Sequence, residues 1–296
     1  MLPRSGWVRQ GLGALGLGAL ALAGCQKIWG FEDFDTAGGA AGGGAGGQGG
    51  SGGGVAGSGG ASGGSAGAAC EDKNAPVGMV SVRIQDGSCL WIDPKEATRA
   101  EYESFRTAAP AKPSNCDWNK SYDAPEKKQG SPCLGPGEVD DAGADAATLP
   151  GNLPVTCVDW CDAYGFCAAA AKTLCPGTLA KQGAWYDVCS SNGQNSYPYL
   201  GNHSPDFCND SSSSAKALVE VGSKPSCKTA SGVYDMVGNA SEWTAACSTT
   251  GQAGTCDSRG GNYNDNASLA ACNGAVAVAK DVGLAGLGFR CCWAAK

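Results

Sequence analysis

Two carboxylates, Asp235 and Glu242, bracket a turn-like stretch in Gly232-Val233-Tyr234-Asp235-Met236-Val237-Gly238-Asn239-Ala240-Ser241-Glu242-Trp243-Thr244. A hard cation such as calcium needs several oxygen ligands from a compact segment. The two side chains, with the backbone carbonyls of Gly238 and Ala240, could supply that set. The competing reading is that Asp235 and Glu242 only cap turns. Other chemistry is sparse. His203 is the single histidine and sits in Gly201-Asn202-His203-Ser204-Pro205, which reads as a solvated loop rather than the seat of a general base. Beyond the Gly/Ala/Ser tract there is no Gly-x-Ser-x-Gly elbow to present a serine nucleophile. Asp140, Asp141 and Asp145 lack the glycine and terminal glutamate of a calcium loop and read as a solvated acidic stretch.

Cysteine is the other reactive type. There are 17, irregularly spaced, with no Cys-x-x-Cys pair, which argues against zinc or iron. Setting aside Cys25, whose context is given next, leaves an even number, as full pairing in an oxidising compartment requires. Spacing suggests that Cys247 and Cys256, Cys208 and Cys227, and Cys116 and Cys133 each close a surface loop. Cys291 and Cys292 are adjacent, and separate partners are expected for them.

Residues 1–24 read as an export signal, with Arg4 and Arg9 before the apolar run Gly11 to Ala21, too short to span a bilayer. Leu22-Ala23-Gly24-Cys25 matches a bacterial lipobox, which implies cleavage before Cys25 and lipidation there. Gln26 rather than an aspartate follows, so the outer membrane is the expected destination, with the domain outside the cytoplasm. Residues 25–36 form the lipidated N-terminus. Residues 37–69 are almost wholly Gly, Ala and Ser, cannot bury enough apolar surface to order, and read as a tether. Residues 70–296 are long enough for one substantial domain. The chain carries a net charge of −7 and no basic run, which excludes nucleic acid as a natural partner.

Within the domain, Val80, Val82 and Ile84 alternate with polar residues, Asp86-Gly87 makes a hairpin turn, and Cys89 to Ile92 is the return strand. Thr98 caps a helix to Thr107, with Glu101 completing a capping box. Pro110 to Pro150 reads as a long loop. A second helix is expected over Asp162 to Leu174, capped near Asp159. From Tyr186 onward, Gly, Asn and Ser dominate, which predicts a core held by turns and bridges.

Three blocks carry a resemblance: the Gly232 to Thr244 segment, then Arg259-Gly260-Gly261, then Gly288-Phe289-Arg290-Cys291. In this order they are similar to the sulfatase-modifying-factor family, whose best-known members generate formylglycine. Pro154-Val155-Thr156-Cys157-Val158-Asp159-Trp160, Trp185-Tyr186 and Tyr197-Pro198-Tyr199 extend the likeness from about Val80 to Cys292. The resemblance implies an α+β, C-type-lectin-like fold, rich in disulfides and poor in regular structure. It implies bridges Cys167–Cys291 and Cys189–Cys272. It also implies structural calcium at Asp235, Gly238, Ala240 and Glu242, with Asn209 as a ligand of a second family site.

The family's catalysts oxidise a substrate cysteine with oxygen, using copper held by two thiolates just after the Arg-Gly-Gly block; a soft thiolate pair suits Cu(I). Here those positions are Asp265 and Ala270, and neither can be a thiolate. Cys272 lies near but matches the structural bridge. The sequence therefore favours a non-catalytic, surface-tethered binding or scaffold module without copper, its partner an envelope or extracellular protein or glycan. The alternatives left open are a diverged oxidase acting on a sulfatase-type cysteine and a purely structural envelope protein.

Overall fold

The alternation of Val80 and Val82 with Ser81 and Arg83 does make a strand, β1 (Val80–Arg83), and Gly87 at φ +85 turns it into β2 (Cys89–Ile92). The computed structural model describes residues 70–122, 133, 150–177 and 183–294. Cys25, the tether and Asp140, Asp141 and Asp145 lie outside them. All described residues belong to one unit.

Helix α1 (Arg99–Thr107) starts where the Thr98 hydroxyl accepts the Glu101 N–H at 3.3 Å and the Glu101 carboxylate accepts the Thr98 N–H at 2.9 Å. Two otherwise orphaned donors are thereby satisfied. Thr98→Ala should cost about 1 kcal/mol, measured by urea unfolding; a loss below a few tenths would show that the helix end is held from elsewhere.

Helix α2 (Trp160–Ala169) is capped by Asp159, again through a reciprocal box with Asp162. It begins and ends earlier than the sequence expectation of Asp162 to Leu174. The chain turns at Ala171, which adopts a left-handed φ of 55, and Leu174 instead enters the short strand β3 (Thr173–Leu174). After α3 (Ala184–Ser190) the chain is irregular up to β4 (Ser241–Cys247). Strands β5 (Thr255–Arg259), β6 (Ala275–Ala279), β7 (Leu287–Phe289) and β8 (Cys291–Ala294) follow.

Two four-stranded sheets result, in the orders β1-β2-β8-β3 and β6-β5-β4-β7. The first is antiparallel throughout; in the second, β4 and β7 run parallel. The second sheet was not foreseen. Its strands are short and contain Gly, Ser and Asp, so alternation is weak. A single residue, Arg290, separates β7 in one sheet from β8 in the other.

Among the described residues, one of two buried hydrophobic clusters fills the space between α1, α2 and the second sheet; the other gathers Leu90, Ile92, Trp185, Val188 and Met236. Tyr102, Phe166 and Phe289 pack with ring centroids 5.2–6.4 Å apart. Trp160 and Trp243 exchange bonds across the α2–β4 contact: the first indole donates to Thr244 O at 2.9 Å, the second to Val158 O at 3.0 Å. Each indole thus buries its rings without leaving its N–H unpaired.

Eight disulfides join 16 of the 17 cysteines, Cys25 being the remainder. Cys167–Cys291, Cys189–Cys272, Cys208–Cys227 and Cys247–Cys256 are among them. Cys116 and Cys133 do not pair with each other. Cys116 bridges to Cys161, and Cys133 to Cys157. Cys157 and Cys161 flank Asp159, the N-terminal cap of α2, and each draws one of the two loop cysteines to the start of that helix. Cys291 and Cys292 have separate partners, since neighbouring strand residues face opposite sides of β8.

Candidate functional site

The segment from Asp235 to Glu242 folds tightly before it enters β4. Asp235 and Asn239 hold left-handed backbone, at φ 53 and 57. Gly238 lies between them at φ +72, and a Cβ there would stand 2.6 Å from Asn209 O. Only glycine fits that approach.

Four charged side chains converge beneath this turn, and all are buried: Glu96, Asp235, Glu242 and Arg290. Arg290 Nε donates to Glu242 Oε1 at 2.8 Å and Oε2 at 2.9 Å, and its Nη2 donates to Oε1 at 2.6 Å. The guanidinium also donates to the carbonyls of Asp93, Tyr234 and Asp235. Trp185 Nε1 donates to Glu242 Oε2 at 2.7 Å, so both carboxylate oxygens are in use. Glu96 accepts from Asn239 Nδ2 and from the Ala240 N–H, both at 2.9 Å. Asn239 in turn accepts from Asn209 Nδ2 and from the Val219 N–H. One guanidinium thus faces three carboxylates. Burial, then the charge of Asp235, pushes the Glu96 carboxyl well above the usual carboxylate range. Burial pushes Asp235 up to about 6, against the pull of the Gly222 N–H and Arg290.

The expected calcium residues fit this geometry unequally. Asp235 Oδ2 accepts from the Gly222 N–H at 2.6 Å, while its buried Oδ1 has no hydrogen-bond partner, and the buried Asn209 Oδ1 also has none. These are free oxygens of the kind a hard cation takes, in a place with surplus negative charge. Glu242 is different: Arg290 and Trp185 already occupy it. Gly238 and Ala240 lie between the two on the same turn.

Glu96, Asn239, Trp185 and Arg290 were not singled out by residue chemistry. Arg290 had a signal, since a lone arginine amid Leu287-Gly288-Phe289 and Cys291-Cys292-Trp293 must be buried and so needs a carboxylate. Glu96 matches the family's Glu-x-Thr opening in Glu96-Ala97-Thr98 but carries no chemical cue of its own, lying between a strand stop and a helix cap.

Asp265 and Ala270, expected from the sequence at the copper-thiol positions, follow Gly260 and Gly261 in the chain. The Gly238 N–H donates to Gly260 O at 2.9 Å, which ties the two blocks together. Gly260 holds φ +82, and a Cβ there would collide with Met236 O. Gly260→Ala should therefore cost about 1–3 kcal/mol, seen as a drop in Tm; an unchanged Tm would show that the two blocks move apart freely. Asp265 Oδ2 accepts from the Asn262 N–H at 2.8 Å. Ala270 is buried, and Cys272 is bonded to Cys189. Asp265 and Asn262 line a cleft of ≈ 170 Å³ with Ser241, Ser258, Val276 and Leu284. His203 stands apart from it, its Nε2 2.6 Å from Asp210 Oδ2.

The sulfatase-modifying factor enzyme 1-like domain matches residues 57–295. No curated protein matches the chain. Among solved structures, PvdO from Pseudomonas aeruginosa is 18% identical, with a TM-score of 0.52 over 71% of this chain and 82% of its own. CarF is likewise 18% identical, with a TM-score of 0.50 over 75% of this chain and 95% of its own. At that identity the likeness concerns the fold alone. Most of the chain, including all three blocks and both sheets, thus falls within one domain type: this chain belongs to the sulfatase-modifying-factor family and has its disulfide-rich, C-type-lectin-like α+β fold.

Proposed function

We propose that this chain is a non-catalytic member of its family, a binding or scaffold module held at a bacterial envelope by a lipid on Cys25 and displayed on the 37–69 tether. The observation that carries this reading is the site where the family's oxidases hold copper. Asp265 and Ala270 stand there, and the nearest cysteine, Cys272, is committed to Cys189. Two thiolates are needed to hold Cu(I) in that chemistry, and the described domain cysteines are all in disulfides. The test is oxygen consumption and aldehyde formation on a cysteine peptide with Cu(I) supplied, alongside thiol titration of the native protein. The expected result is no turnover and no free thiol. Turnover, with copper bound by a reduced pair near Tyr263, would establish the diverged oxidase instead.

We further infer that calcium stabilises the Asp235 turn. The surplus carboxylate charge and the unpartnered Asp235 Oδ1 support this. Calcium at about 100 times its Kd should add about 2.7 kcal/mol, read as a rise in Tm over an EDTA control and lost in Asp235→Asn. A Tm indifferent to millimolar calcium would refute it.

A further inference from the structure

The cleft beside Asp265 has one charged lining residue, and that charge is uncompensated. Asp265 Oδ2 takes the Asn262 N–H, while Oδ1 has no partner among the described residues. No lysine or arginine lines the cleft. The Ser258 hydroxyl, also on the wall, has no hydrogen-bond partner among the described residues. Ser241 is already committed, donating to Gly286 O at 3.1 Å. The remaining walls are largely apolar, built by Leu269, Val276, Val278 and Leu284. Val276 and Leu284 are 47% and 37% exposed, so this apolar surface is open to solvent.

Those features fit one chemical class. A volume of ≈ 170 Å³ holds a short aliphatic chain. A carboxylate oxygen and a hydroxyl accept hydrogen bonds from a donor with several N–H groups, and the carboxylate adds charge selectivity. The aliphatic walls suit methylene groups. An anion would meet Asp265 with nothing to offset it, and the chain's charge of −7 repels anions and draws cations.

We propose that this cleft binds an alkylammonium group, its head on Asp265 and Ser258 and its methylenes against Val276 and Leu284. The proposal rests on the non-catalytic reading, because it gives Asp265 a recognition role where the oxidases place a copper ligand. A free aliphatic amine and a lysine side chain share this chemistry.

The test is NMR titration of the oxidised domain with n-butylammonium, with 1-butanol as the uncharged control and a blocked lysyl peptide as the second source. The expected result is saturable shifts at Asp265, Val276 and Leu284 with butylammonium and none with butanol. Asp265→Asn, which keeps an acceptor for the Asn262 N–H, should weaken binding at least tenfold. Val276→Lys, at an exposed strand position, should abolish it by placing a tethered cation at the mouth. A lysyl peptide bound at least tenfold tighter than butylammonium assigns a protein-borne lysine; equal or weaker binding assigns a free amine. Equal shifts from butanol, no binding of either cation, or full binding by folded Asp265→Asn would overturn the proposal. The oxygen-consumption assay reads out separately: no turnover with no ammonium binding defeats this inference alone, and turnover defeats the reading beneath it.

Discussion

Arg290→Met should destabilise the domain by about 3–5 kcal/mol. The change leaves the volume nearly filled but strips the guanidinium from a pocket that also holds Glu242, Asp235 and Glu96. Glu242 would retain one donor, the Trp185 indole, and face the buried Asp235 carboxyl without its counterion. The carbonyls of Asp93, Tyr234 and Asp235 would also lose an N–H. A buried carboxylate without its counterion is far costlier than a missing ion pair. Adding Glu242→Gln should therefore restore part of the loss, since Gln can still accept the Trp185 N–H and carries no charge. Urea unfolding of the oxidised proteins gives both numbers. A single-variant loss under 1 kcal/mol, or a double variant worse than the single, would show that Arg290 does not neutralise this cluster.

The second large effect concerns the two bridges to β8. Cys167–Cys291 and Cys175–Cys292 span 124 and 117 residues and close nearly the same loop. In the chain-entropy model, once one is in place the other closes only the short loop between them, so removing either costs about 2.5 kcal/mol. Removing both opens the long loop as well and costs about 7 kcal/mol. That is most of an ordinary domain's stability. The two pairs, replaced by alanine singly and together, should thus be non-additive by about 2 kcal/mol. Simple additivity would mean that β8 is held chiefly by its sheet neighbours rather than by the bridges.

How much of this was legible depends on whether a feature was local. The β1–β2 hairpin and α1 follow from alternation, one Asp-Gly turn and a capping box, all within a few residues. The second sheet depends on pairings such as Ser241 with Leu287, and its short strands carry little periodicity of their own. The Cys116–Cys133 expectation failed because proximity in sequence says nothing about a helix end that places Cys157 and Cys161 to meet both. The Asp235 to Glu242 turn was visible as a motif, but its counterion lies 48 residues on, and Glu96 reaches it from 144 residues before Ala240. Setting Asp265 and Ala270 against the family's copper thiols is a reading of the sequence alone.

The place of β8 has a consequence for how the protein is made. It lies between β2 and β3, pairing Trp91 with Trp293, although β2 is finished about 200 residues earlier. Until β8 is in place, the β1–β2 hairpin has no neighbour in its sheet, and Cys167 and Cys175 have no native partners. Productive folding of the first sheet must wait for β8, which acts as its keystone. A chain stalled before Cys291 carries unpaired thiols and an open sheet edge, which makes truncated products natural substrates for proteolysis.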